Sequence, residues 1–212
     1  MNVETFIDSL NSLLAILEED IDYNGELNIL LKGAAGNIPI SVCNLFKKAK
    51  TVNNVFSFAF LGYLVLEEKD IIQDLMPEDE KSFWGAYQYD GELVLTEDMQ
   101  INLEDNLDGE LDESVPINYV GNLLPISKFQ GDYLVIDLSK DRFGYLLAIV
   151  NGHIASILAP SIIDHVKDLI EGLKEQCYKV IDDEIIYPTA WYLRKMLRAG
   201  KIEIDEFGEV IS

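Results

Sequence analysis

The sequence predicts a single α+β domain, with helices and an antiparallel or mixed sheet segregated along the chain. Three observations carry that expectation. Apolar residues recur at helical spacing near both ends, whereas the stretch over residues 132–158 carries three short strand-like runs in succession. Two of those runs meet at Asn151-Gly152, a dipeptide suited to the left-handed conformations of a two-residue hairpin turn. A chain of 212 residues, 49% hydrophobic, supports one sizeable core and needs no second. Helices and strands do not alternate strictly, which disfavours a parallel βαβ array.

Taken in order, Val3, Phe6, Ile7, Leu10, Leu13, Leu14 and Leu17 fall at three- and four-residue intervals and predict an amphipathic helix, closed by a turn at Asn24-Gly25. Pro39 suits the first residue of a second helix over residues 40–50, with Val42, Leu45, Phe46 and Ala49 as its apolar stripe. Asn53-Asn54 reads as a break. Residues 55–66, rich in aromatic and β-branched side chains, then read as one or two buried strands. An acidic helix over 67–76 ends before Pro77, and Leu93-Val94-Leu95 is a strand. Beyond the three central strands, Pro160 opens a helix whose apolar face is Ile162, Ile163, Val166, Leu169, Ile170 and Leu173. Residues 188–199 form a last helix stopped by Gly200, followed by a hairpin around Phe207-Gly208. Its cluster Arg194, Lys195, Arg198 and Lys201 is expected to dock onto the chain's own acidic surface while Trp191, Leu193 and Leu197 pack on the domain.

Charge narrows the partners. Sixteen Lys and Arg oppose 38 Asp and Glu, a formal net charge of −22. Such a surface repels nucleic acid and anionic membranes and speeds encounter with a basic partner. Between residues 82 and 127 there is no Lys or Arg but ten acids, the densest run being Glu104, Asp105, Asp108, Glu110, Asp112 and Glu113. These six are the candidate partner-binding residues. As a calcium loop the run fails, because the last ligand position is Val115 and Pro116 opposes an exiting helix. Catalytic and cofactor motifs are not found. Gly33-Ala34-Ala35-Gly36 lacks the Lys and Ser/Thr of a phosphate loop, and His153 and His165 have no metal-ligand neighbours at the right spacing. Cys43 and Cys177 stand far apart and read as free thiols of a reducing compartment; no cofactor and no metal are expected. The opening residues lack the basic and apolar regions of a secretory signal, which predicts a cytoplasmic protein.

One stretch carries more specific information. Leu123-Leu124-Pro125-Ile126-Ser127, then Gly131-Asp132-Tyr133 through Asp137-Leu138, then Gly144 and Ser161, resembles the SUKH superfamily, the domain of the Smi/Knr cell-wall-assembly regulators. Ile38-Pro39, Leu45-Phe46 and Asn53 are similar to that family's upstream pattern, with Asn54 where the family has Gly. The resemblance covers residues 38–173. It implies a SUKH-like α+β domain over residues 1–177 and an added extension over 178–212 packed on it. It also implies a bacterial immunity protein that has no catalysis and neutralises a cognate toxin. Many such toxins are nucleases, whose basic surfaces an acidic inhibitor is suited to meet. Two other readings are a regulatory or scaffolding module of the cell-wall-regulator type and a carboxylate- or metal-dependent enzyme.

Overall fold

The computed structural model describes residues 2–20, 38–66, 86–89, 92–95, 123–138, 142–150 and 153–211. Their architecture is α+β, a five-stranded antiparallel sheet with helices packed against one another and the sheet.

Helix α1 (Val3–Glu18) starts at Asn2, whose side-chain oxygen accepts from the Thr5 amide at 2.8 Å. Four of the seven predicted stripe residues, Phe6, Leu10, Leu13 and Leu17, are its buried face; Ile7 and Leu14 are half-buried and Val3 is exposed. Helix α2 (Ile40–Ala59) follows Pro39 and differs from the expected element. Residues 55–59 continue the helix and are not strands, because the aromatic run is organised at helical spacing. Phe56 and Phe60 stack at 3.9 Å between centroids, and Phe58 meets Phe6 of α1 edge-on at 4.7 Å. Asn53 is no breaker. From within the helix its side chain accepts from the Val65 amide at 2.8 Å. The helix ends in a reversal with Leu61 and Gly62 both at positive φ and the Gly62 amide bonded to the Ser57 carbonyl.

The chain then enters β1 (Leu64–Val65), the only strand among the described part of residues 55–66. A separate hairpin of β2 (Ala86–Tyr89) and β3 (Glu92–Leu95) contains the expected Leu93-Val94-Leu95 strand. The main sheet continues with β4 (Leu123–Phe129), β5 (Asp132–Asp137), β6 (Leu146–Val150) and β7 (His153–Ala159), in the order β1-β4-β5-β6-β7. A register shift between Pro125 and Ser127 accommodates a residue that has no amide hydrogen for the ladder. Asp137 is buried at the end of β5. Its backbone bonds Gly144 and Tyr145, and its carboxylate lies 3.4 Å from Arg142 Nε, so it braces the turn into β6. Val150 pairs with His153, which leaves the two-residue connection expected for Asn151-Gly152.

Helix α3 (Ile162–Lys174) begins two residues later than expected, after Ser161, whose hydroxyl oxygen accepts from the Asp164 amide at 3.0 Å. A hairpin the sequence reading did not anticipate follows, β8 (Lys179–Ile181) and β9 (Glu184–Ile186). Its turn residues Asp182 and Asp183 both have positive φ. Helix α4 (Trp191–Arg198) is shorter at its start than expected, and a single bridge, Ile204 to Val210, stands where the last hairpin was expected. Lys179 Nζ donates to the Ile204 and Asp205 carbonyls, tying the tail to β8.

Candidate functional site

The six acidic candidates Glu104, Asp105, Asp108, Glu110, Asp112 and Glu113 lie outside the described residues, as do the Gly33–Gly36 segment and the acidic helix of residues 67–76. His153 begins β7; its side chain is likewise outside the described set. Cys43 is buried, Cys177 is half-buried, and both are free thiols. Burial is the leading cause that raises each thiol pKa. Among the described residues no group of His, Cys, Asp and Glu side chains is arranged to hold a metal ion.

Two features stand out, an apolar cleft and a buried charged cluster behind one of its walls. The cleft begins with the sheet. Register places Val65, Ser127, Leu134, Ala148 and Ser156 side by side on successive strands. Three of those five side chains, Ser127, Ala148 and Ser156, are small, which leaves space on this face of the sheet beside Leu134. Leu134, Ala148 and Ser156 form the floor of a cleft of about 450 Å³. One wall is the reversal after α2, with Phe60, Leu61 and Tyr63. The other is the C-terminal segment, running through Tyr187, Leu193 and Phe207 to Val210. That segment is drawn in tightly at Gly208, where a Cβ would lie 2.8 Å from the Tyr187 carbonyl oxygen. The Ser156 hydroxyl is buried in the floor with no hydrogen-bond partner among the described residues, and Ser127 in the same row is equally unpartnered. Burial, assisted by the Asp132 charge, pushes the Tyr63 phenol up to about 12, so it stays protonated at neutral pH.

The charged cluster joins α3 to α4. Arg194 is fully buried, and its predicted docking onto the chain's own acids is what the structure holds. The expected order of burial is reversed, however. Trp191, Leu193 and Leu197 are half-buried, and Arg194 is the residue of α4 that reaches the interior. Its Nε sits 3.2 Å from Asp168 Oδ2 without the alignment of a hydrogen bond, so this contact is coulombic. Its Nη1 donates to His165 Nδ1 at 3.0 Å. Because a guanidinium only donates, His165 carries its proton on Nε2. Burial first, and the Arg194 charge second, hold the His165 pKa well below its ordinary value, so the ring is neutral. It packs against Phe60 at 4.5 Å and Tyr187 at 5.7 Å.

Asp168 receives the Tyr178 hydroxyl at 2.7 Å and Arg198 Nη1 at 3.1 Å. Arg198 also reaches Glu171 at 2.9 Å and donates from Nε to Glu175 at 2.8 Å. Those carboxylates raise the pKa of Arg198, while Arg198 lowers that of Glu175. Burial, with Asp168 beside it, raises Tyr178; burial also raises Tyr187, whose hydroxyl donates to the Ala59 carbonyl at 2.9 Å. Asp168 has its oxygens occupied by the Tyr178 hydroxyl and the two arginines, so the cluster clamps α3 to α4.

Sequence reasoning identified the basic cluster but not its buried partner. The signal was present in the spacing. Asp168 and Glu171 fall on one face of α3, with Glu175 capping its end, and Arg194 and Arg198, four apart, fall on one face of α4. No family model matches the chain, and no curated protein and no solved structure matches it.

Proposed function

We propose that this chain is a SUKH-type immunity protein, a cytoplasmic, non-catalytic inhibitor that binds and neutralises a cognate basic toxin, possessing neither cofactor nor metal. The observation that carries the reading is the disposition of charge. The net charge is −22, and several of the few cations are spent within the molecule. Arg194 and Arg198 are held by Asp168, Glu171 and Glu175, Arg142 by Asp137, Lys167 by Glu18, and Lys48 by Glu19. A chain with this excess of acids steers toward a cationic surface such as that of a nucleic-acid-cleaving enzyme.

The SUKH-like residues add support, because they sit at points of structural punctuation. Pro125-Ile126 lies at the β4 register shift, Gly131 and Gly144 at the two ends of the β5 unit, and Ser161 at the cap of α3. The test is co-expression with a basic toxin domain encoded beside this chain's gene. Growth should be rescued, and the purified pair should associate at a rate that falls steeply with salt. Failure to rescue, together with no association at low salt, overturns the proposal.

A further inference from the structure

We propose that the cleft over Leu134, Ala148 and Ser156 is a binding site for a compact, uncharged aromatic small molecule bearing one hydrogen-bonding group. This inference stands apart from the toxin reading and requires no protein partner. Volume comes first. About 450 Å³ lies within the range of small-molecule sites, and the cleft occurs where such sites form, between a sheet face and a segment folded over it.

Chemistry then selects the ligand. Aromatic rings of Phe60, Tyr63, Tyr187 and Phe207 line it, favouring a flat π-system that can stack or meet their edges. No Lys or Arg is among the described lining residues and Glu209 is the one carboxylate, so an anionic ligand finds no counter-ion there. The apolar floor disfavours a full positive charge as well. Of the polar side chains that line it, Thr189 and Glu209 belong to the C-terminal wall, and the buried one without a partner among the described residues is the Ser156 hydroxyl in the floor, at 7% exposure. A buried hydroxyl left unpaired is costly, and a ligand N–H or O–H placed over the floor relieves that cost. The rim adds a third observation. Leu61, Phe207 and Val210 are 40%, 75% and 43% exposed, an apolar margin around the opening that an aromatic ligand would cover.

The probe is N-phenyl-1-naphthylamine, a neutral aromatic amine with one N–H whose fluorescence rises in apolar surroundings. Titrated into the full chain, it should show saturable one-to-one binding. Thr189→Trp, at an exposed position on the rim, should weaken binding at least tenfold while leaving the melting temperature unchanged. Ser156→Leu should do the same by filling the floor, and the rim variant decides the question if that substitution prevents folding. Ser156→Ala should weaken the amine about fivefold, and leave 1-phenylnaphthalene, which lacks the N–H, unaffected. Non-saturable binding, or saturable binding that Thr189→Trp does not alter, overturns the proposal. Equal effects of Ser156→Ala on both probes would remove the hydroxyl from the site and overturn the assignment of ligand class.

Discussion

Replacing Arg194 by Met tests the clamp between α3 and α4 most directly. Methionine keeps much of the apolar stem and removes the charge, leaving Asp168 at 4% exposure with Arg198 at 3.1 Å and the Tyr178 hydroxyl at 2.7 Å. Breaking one side of a buried ion pair costs about 3–5 kcal/mol. The surviving Arg198 contact puts this case at the low end, about 3 kcal/mol, even with His165 Nδ1 losing its donor. For a chain of this length that corresponds to a fall of about 6–12 °C in melting temperature. Urea unfolding followed by circular dichroism measures the free energy without depending on Trp191, whose ring lies 5.1 Å from the substituted guanidinium. The double variant Arg194→Met/Asp168→Leu removes both charges and should be more stable than the sum of the single losses predicts, by about 1.5 kcal/mol or more. Arg194→Met unfolding within about 0.5 kcal/mol of the parent, or strict additivity in the double variant, would refute the clamp.

Four further outcomes are expected. Because the folded state holds His165 well below the ordinary histidine value of 6.5, the unfolded chain takes up a proton there that the folded chain refuses. Stability should therefore fall as pH drops below about 6.5, with a slope approaching 1.4 kcal/mol per pH unit from this group. The difference between the parent and His165→Gln isolates that contribution from the opposing relief of carboxylate repulsion; parallel curves would exclude it. Gly172→Ala, usually stabilising by about 1 kcal/mol inside a helix, should instead destabilise by about 1–3 kcal/mol on urea unfolding. Its Cβ would fall 2.1 Å from the Tyr178 ring and push the hydroxyl off Asp168. Reversing three of the acids among Glu104, Asp105, Asp108, Glu110, Asp112 and Glu113 to Lys should slow association with the toxin and flatten its salt dependence, while calorimetry with millimolar calcium should show no saturable site.

Much of the architecture was legible because local chemistry and tertiary packing agree there. In α1, one helical period places Phe6, Leu10, Leu13 and Leu17 inward, and in the meander β5-β6-β7 the turn glycine Gly144 and short connections mark the strands. The stretch from Asn53 to Phe60 misled for a definite reason. Aromatic and β-branched residues prefer strands only as exposed propensities, and here burial at i and i+4 against α1 and His165 outweighs that preference. The β8-β9 turn was missed because Asp182-Asp183 adopts left-handed conformations more usual for Asn and Gly. At the cleft, Ser127, Ala148 and Ser156 are unremarkable one by one. Only the strand register brings them into one row, and register is a long-range property. For the same reason the docking of Arg194 was legible but its burial was not, since nothing near it in sequence shows that Asp168 waits beneath it.

The position of that arginine along the chain matters during synthesis. Asp168 and His165 leave the ribosome before the cation that balances them, and a chain halted before residue 194 carries a carboxylate with a place in the interior but an incomplete set of counter-charges. Such a chain is left with the cost of an under-compensated buried charge, and locally opens around α3. Fragments ending short of α4 should present a frayed, protease-sensitive α3, because Asp168 there lacks the two arginines that hold it in the full chain.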